Sequence, residues 1–332
     1  MKSFLSGYFS NLTDLQTEQL KGDGGHRSYT RLRKGNQTFI LMSCGLKDPS
    51  LKLFVEIQKR LKPYVLVPQI FHLDLKKGFL LLEDLGDESL EYVFFKKAKN
   101  LCLSFYQKAL SQLIDLQSQV QCLEKDPVFD ARFFSDEVER AICDIEKYLC
   151  DVLNHKSFCR ELSQNFKRDM EQIVSYPQNE DYVYCHRDFH SRNLMVKDNR
   201  VIMIDFQDAG KGPWYYDLAS LLYDSYVFLS NRNELALFYF KNLSPFLKKK
   251  VKSVKRVNQM VQLQFLQRGF KACGRFCAFK VEDNKDTHLQ YLTPTLQLLK
   301  LTARELNYNG VYNYAEFLIQ AFKGIDSLKL RN

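Results

Sequence analysis

No apolar run in this sequence reaches the eighteen or so residues that a membrane-spanning helix needs. The opening, MKSFLSGYFSNL, has one Lys and a few apolar residues but no apolar core region and no small-residue cleavage site. No signal peptide is expected, and the expected compartment is the cytoplasm. Internal repeats and low-complexity tracts are also missing, which excludes solenoids and compositionally biased chains. Tryptophan occurs once, at Trp214. None of the nine cysteines forms a C-x-x-C pair, and an odd total does not complete a disulfide framework. Cys273 and Cys277 stand four apart on an expected helix, yet no second His or Cys pair completes a zinc set. Buried, reduced thiols are expected. Acid is lacking from residues 241–280, which hold eleven Lys or Arg and no Asp or Glu. The stretch reads as a solvated helical face or as an attractor of an anionic ligand. No nucleic-acid-binding motif accompanies it, so neither nucleic acid nor membrane is an expected partner.

What is present is ordinary globular composition: 332 residues, 45% hydrophobic and 26% charged, with a formal net charge of +9. This length allows two domains or one two-lobed unit. SYTRLRK and QTFILM read as strands joined by a GN turn. DPSLKLFVEIQKRLKP reads as a helix capped by Asp48, with Pro49 in its first turn and Leu53, Phe54, Ile57 and Leu61 on one face. QIFHLDL and FLLLED form a second expected hairpin around KKG. Residues 90 to about 176 carry helical periodicity. A short β-rich island follows, in which LMVK and RVIMID pair across DN, and the chain is helical again from Trp214. The pattern predicts an α+β chain: residues 1–86 as a small β-rich N-terminal lobe, residues 87–332 as a large, mainly helical lobe.

The chemistry concentrates in CHRDFHSRNLMVKDNRVIMIDFQDA, residues 185–209. Asp188 precedes Asn193 by five residues, and Asp205 ends an apolar run twelve residues later. Phosphoryl transfer needs a carboxylate beside the acceptor hydroxyl and oxygen ligands holding Mg²⁺ against the nucleotide phosphates. His186-Arg187-Asp188, Asn193 and Asp205-Phe206 match, in order and spacing, the catalytic loop and metal-binding Asp of protein-kinase-like enzymes. A solvated loop followed by a polar strand end is the bland alternative. The whole pattern then reads as a bilobal, protein-kinase-like fold. No A-P-E segment separates Asp205 from the helix at 214, which argues against a protein kinase.

These residues resemble the aminoglycoside phosphotransferase and choline kinase superfamily, in which the Gly after Asp-Phe is usually replaced, as by Gln207 here, and a downstream Asp-Leu-Ala matches Asp217-Leu218-Ala219. HRDFHSRNLMV, IDFQDAGKGPWYYDLASLLYDSYV, QRGFKACGRFCAF, GDGGHRSYTRLR and GFLLLEDLGDESL are similar to bacterial kinases that phosphorylate the anomeric hydroxyl of N-acetylmuramate and N-acetylglucosamine in cell-wall recycling. The resemblance implies an ATP- and Mg²⁺-dependent kinase of a small-molecule sugar. Asp188 would orient or deprotonate the acceptor hydroxyl, with Asn193 and Asp205 on the metal. His186 reads as a loop brace, and Asp217 as an acceptor for catalytic-loop backbone. His190 and Asp208 would face the acceptor or support the loop. An aminoglycoside or choline phosphotransferase and a nucleotide-binding pseudokinase stand as alternatives.

On the nucleotide side, Gly22, Gly24 and Gly25 would let backbone N–H groups approach phosphate oxygens. Arg27 would reach a phosphate or lie exposed, and Glu83 and Leu85 would offer main-chain groups to adenine. One feature departs from kinases at large. The third strand carries Met42 where a Lys is expected, which leaves Glu56 without an evident partner. Arg27, Arg31 or a second metal are candidates for the missing charge.

Overall fold

The computed structural model describes residues 1–20, 27–45, 48–153, 163–177 and 182–329. Two compact units are formed: Met1–Val120 with Arg192–Ala209, and Gln121–Ser191 with Gly210–Asn332.

The first unit opens with α1 (Lys2–Leu5), β1 (Gln16–Leu20), β2 (Ser28–Lys34), β3 (Gln37–Ser43) and α2 (Pro49–Leu61). It continues through β4 (Ile70–Asp74), β5 (Phe79–Glu83), α3 (Leu90–Lys96) and α4 (Lys99–Gln119). The five strands make one antiparallel sheet in the order β1-β2-β3-β5-β4. Both expected hairpins are present, as is the expected helix cap: Asp48 accepts the Ser50 N–H at 2.8 Å with Pro49 at the first helical position. The α2 face differs from expectation at one residue. Leu51, Phe54, Val55, Ile57 and Leu61 are buried, whereas Leu53 is exposed, because the apolar stripe centres on Leu51 and Phe54 and turns Leu53 outward.

The second unit begins with α5 (Ala131–Lys147), α6 (Gln164–Val174) and β6 (Tyr182–Cys185). The chain then returns to the first unit for the hairpin β7 (Leu194–Lys197) and β8 (Arg200–Met203). Asp198 and Asn199, with φ of 48° and 58°, make the left-handed two-residue turn that suits the strand twist. The second unit resumes with β9 (Gly210–Pro213), α7 (Tyr215–Leu222), α8 (Arg232–Asn242), α9 (Pro245–Val251), α10 (Val254–Asp283), α11 (Leu292–Glu305) and α12 (Asn309–Lys329). The expected pattern, a β-sheet N-terminal region and a mainly helical C-terminal region, is observed.

Strand β9 was not legible in the sequence. GKGP has no alternation and pairs with β6 only because Gly210 tolerates close backbone: a Cβ there would lie 2.4 Å from the Pro127 carbonyl oxygen. Helix α10 is held close to α5 by a second glycine. A Cβ on Gly274 would sit 2.6 Å from the Ala141 Cβ, so only glycine permits this crossing. Eight described cysteines are free thiols; Cys102, Cys185, Cys273 and Cys277 are buried as expected, whereas Cys44, Cys122 and Cys150 are only partly covered. Cys143 is exposed, on the outer face of α5. Among the described residues no helix is long and apolar enough to cross a membrane.

Candidate active site

In the second unit, β6 delivers the chain at Cys185 into the loop that carries His186, Asp188 and His190. Two buried carboxylates shape that loop. Asp217, in the first turn of α7 and fully buried, accepts the backbone N–H groups of His186 at 2.6 Å and Arg187 at 3.0 Å. Burial pushes the Asp217 carboxyl up, against the pull of His186 and these N–H donors. Asp224 accepts the Ser191 N–H at 2.7 Å and the Tyr226 N–H at 2.8 Å. Between these anchors Arg187 adopts a φ of 83°, a conformation a non-glycine residue holds only when its surroundings fix it.

Helix α10 supplies two cations three residues apart, hence on one face. Lys271 Nζ lies 3.0 Å from Asp188 Oδ1, and an Arg268 Nη lies 3.6 Å from the same oxygen. Arg268 also donates to the Arg187 carbonyl at 2.9 Å and stacks over the Tyr216 ring, 4.4 Å from its centroid. Burial disfavours the Asp188 charge, but the Lys271, Arg268 and Arg187 cations outweigh it and hold the carboxyl well below the usual carboxylate range. Lys271 has a second partner, Glu137 of α5, at 3.2 Å. Glu137 is buried on the apolar stripe of α5 and also accepts from Gln267 at 3.1 Å.

Burial pushes the His190 imidazole down to about 3, with Asp188 pulling the other way. Its backbone N–H donates to the Asp188 carbonyl at 3.1 Å, and its ring meets Tyr226 edge-on at 5.3 Å. His186 is buried, with its ring against Phe189 at 5.8 Å.

Asn193 and Asp205 belong to the first unit. The Ile204 N–H donates to the Asn193 carbonyl at 3.0 Å, so both residues stand at the same end of the β7–β8 hairpin. Arg192, just before Asn193, forms a two-pronged ion pair with Glu91 of α3 at 2.9 and 3.1 Å. Asp205 is exposed, with a φ of 64°, and Gln207 donates to its Oδ1 at 2.8 Å. The next residue, Phe206, is fully buried and packs on Phe54 of α2 at 4.8 Å. Asp208 is exposed on the loop that follows.

Met42 is completely buried in β3. Glu56 faces outward and lies 3.8 Å from Lys52 on its own helix. Arg31 is committed elsewhere. Its guanidinium donates twice to Asp84, at 2.8 and 3.1 Å, and twice to Asp87, at 2.8 and 3.2 Å. Arg27 donates to Ser50 at 2.9 Å and lies over the Phe54 ring, 5.9 Å from its centroid. Glu83 ends β5, and its side chain meets Lys197 at 3.1 Å; Lys197 also donates to the Asp84 carbonyl at 2.8 Å. Leu85 is buried. Gly22, Gly24 and Gly25 lie outside the described residues.

Sequence reasoning did not single out Lys271, Arg268, Glu137 or Asp224. Two signals bore on three of them: Lys271 and Arg268 as a pair of cations at helical spacing in an otherwise acid-free stretch, and Glu137 as a lone acid on the apolar face of α5.

The model of the phosphotransferase enzyme family matches residues 16–240, and the chain belongs to that family. It is a phosphotransferase. Over 292 residues it is 25% identical to the N-acetylmuramate/N-acetylglucosamine kinase of Neisseria meningitidis serogroup B, covering 85% of this chain and 84% of that protein. Over 207 residues it is 30% identical to the N-acetylmuramate/N-acetylglucosamine kinase of Pseudomonas aeruginosa, covering 62% of this chain and 59% of that protein. The solved structure of the aminoglycoside phosphotransferase APH(2'')-Ib with ADP bound aligns with a TM-score of 0.56 at 14% identity, covering 90% of this chain and 98% of that one. At that identity the likeness is one of fold.

Proposed function

We propose that this chain transfers the γ-phosphoryl group of ATP to the anomeric C1 hydroxyl of N-acetylmuramate or N-acetylglucosamine. Residues 1–86 serve nucleotide binding, and residues 87–332 carry the catalytic loop and the acceptor site. The observation that carries this reading is the Asp188 carboxylate, kept ionised beside Lys271 and Arg268 on a loop anchored by Asp217. An acceptor hydroxyl donates a hydrogen bond to such a carboxylate, which aligns its oxygen for attack and takes its proton as transfer proceeds. The two relatives named for amino-sugar kinase activity support the choice of acceptor.

Asn193 and Asp205 fit Mg²⁺: hard oxygen donors at one end of a hairpin, too few to enclose the ion alone. Mg²⁺ takes one or two protein carboxylates and fills its shell with phosphate oxygens and water. When bound, it neutralises charge on the transferred phosphoryl group. Gly22, Gly24, Gly25 and Arg27 contact the phosphates, while Glu83 and Leu85 address adenine through their main chains. His186 and Asp217 brace the loop; His190 and Asp208 contact or support the acceptor. The protein works in the cytoplasm, where ATP is available.

The test is ADP release with ATP and Mg²⁺ over a panel of N-acetylmuramate, N-acetylglucosamine, kanamycin and choline. Turnover on the N-acetyl sugars is expected. Turnover confined to kanamycin or choline overturns the acceptor assignment.

A further inference from the structure

We infer that Lys271 is a positioning residue for phosphoryl transfer: its ammonium, held between Asp188 and Glu137, fixes the orientation and the charge of the Asp188 carboxylate. The inference rests on the reading that Asp188 receives the acceptor hydroxyl.

The arrangement differs from an ordinary surface lysine on a basic helix. Lys271 is mostly buried, and it contacts two carboxylates from two different elements, at 3.0 and 3.2 Å. Glu137, one of them, is buried and has its other oxygen held by Gln267 at 3.1 Å. Gln267 in turn accepts from Gln264 at 2.9 Å. Lys271 and Asp188 are only partly buried, and the desolvation of charges set beside the buried Glu137 offsets much of their attraction, so the cluster adds little net stability. The close crossing of α5 and α10 at Ala141 and Gly274 lies one turn from both Glu137 and Lys271 and holds them together. Lys271 and Arg268 converge on one oxygen, Asp188 Oδ1, at 3.0 and 3.6 Å, which restrains where that oxygen sits.

The charge on Asp188 depends on the same contact. Facing it are Lys271 and Arg268 from α10, Arg187 and His190 from its own loop, and Tyr216 from α7; Glu137 of α5 acts through Lys271. Burial favours the protonated acid, and a protonated Asp188 cannot accept the hydroxyl proton. Lys271 heads the cations that oppose this.

The test is kcat/KM from about pH 5 to about pH 9 for the full chain and for Lys271→Met, Lys271→Gln, Lys271→Arg and Asp188→Asn, with N-acetylglucosamine as acceptor. The wild type is expected to show no acidic limb from Asp188. The two neutral variants are expected to lose turnover on the order of 10²-fold and to gain an acidic limb within that range, while Lys271→Arg keeps the wild-type profile. Lys271→Gln retains an N–H donor and most of the length, so it carries the prediction if Lys271→Met folds poorly. A purely structural lysine would lower the melting temperature and reduce activity equally at every pH, and that result overturns the inference. Loss in Asp188→Asn with a wild-type profile in Lys271→Gln overturns the inference and leaves the role of Asp188 standing. Unchanged activity in Asp188→Asn overturns both. Failure of the sugar assignment is visible in the wild type alone, and the same profiles are then measured on kanamycin or choline.

Discussion

The carboxylate of Asp217 receives the backbone N–H of His186 at 2.6 Å, and its second oxygen receives that of Arg187 at 3.0 Å. Both carboxylate oxygens are used, so an amide cannot replace them. In Asp217→Asn the side-chain NH₂ faces one of the two N–H donors and leaves it unsatisfied in a buried place. A loss of about 1–3 kcal/mol of stability is expected. A drop in kcat should accompany it, because the φ of 83° at Arg187 is then less firmly held. Thermal melting and steady-state kinetics on the same preparation check this.

Arg31 binds two aspartates that are not equivalent. The Asp84 side chain is 5% exposed and that of Asp87 is 81% exposed. Removing Asp84 leaves a buried guanidinium under-compensated, at a cost of about 3–5 kcal/mol, whereas an exposed partner is worth at most about 1 kcal/mol. Asp84→Ala should therefore lower the denaturant midpoint far more than Asp87→Ala. Equal effects would show that the buried pair does not anchor the segment after β5.

Met42→Lys tests whether the missing strand lysine can be restored. The new ammonium would enter a fully buried position while Glu56 remains turned toward Lys52. Destabilisation of several kcal/mol and no gain in turnover are expected. On the proposed phosphate-binding role of Arg27, Arg27→Ala should raise the KM for ATP by about tenfold and leave the acceptor KM unchanged, the pattern of a lost ground-state contact.

His190 gives a pH prediction. Its folded pKa of about 3 lies below the ordinary value of 6.5, so between these the unfolded chain binds more protons than the folded one. Stability contributed by the neutral ring is complete above about pH 6.5 and is lost as pH falls toward 3. Denaturant midpoints measured across this window should decline on acidification in the wild type and decline less in His190→Gln. Over the working range the imidazole stays neutral and contributes no inflection near 6.5 to kcat/KM.

What was legible in the sequence was local. The GN and DN hairpins, the Asp48 cap and the spacing of Asp188, Asn193 and Asp205 each depend on a few neighbouring residues whose backbone preferences are strong. Lys271 sits 83 positions from the aspartate it contacts. Helix α10 buries residues around much of its circumference, so its periodicity does not single out the face that meets the loop. Strand β9 depends on Pro127 and Phe129, residues far from it in sequence, and its own four letters carry no strand signal. The outward turn of Leu53 is a smaller case, decided by where the apolar stripe of α2 centres.

The central claim is tested most directly by the product. Purified protein incubated with ATP, Mg²⁺ and N-acetylglucosamine or N-acetylmuramate should release ADP and yield a sugar whose anomeric proton couples to phosphorus in the NMR spectrum. Phosphate on any other hydroxyl, or transfer only to kanamycin or choline, would contradict the account.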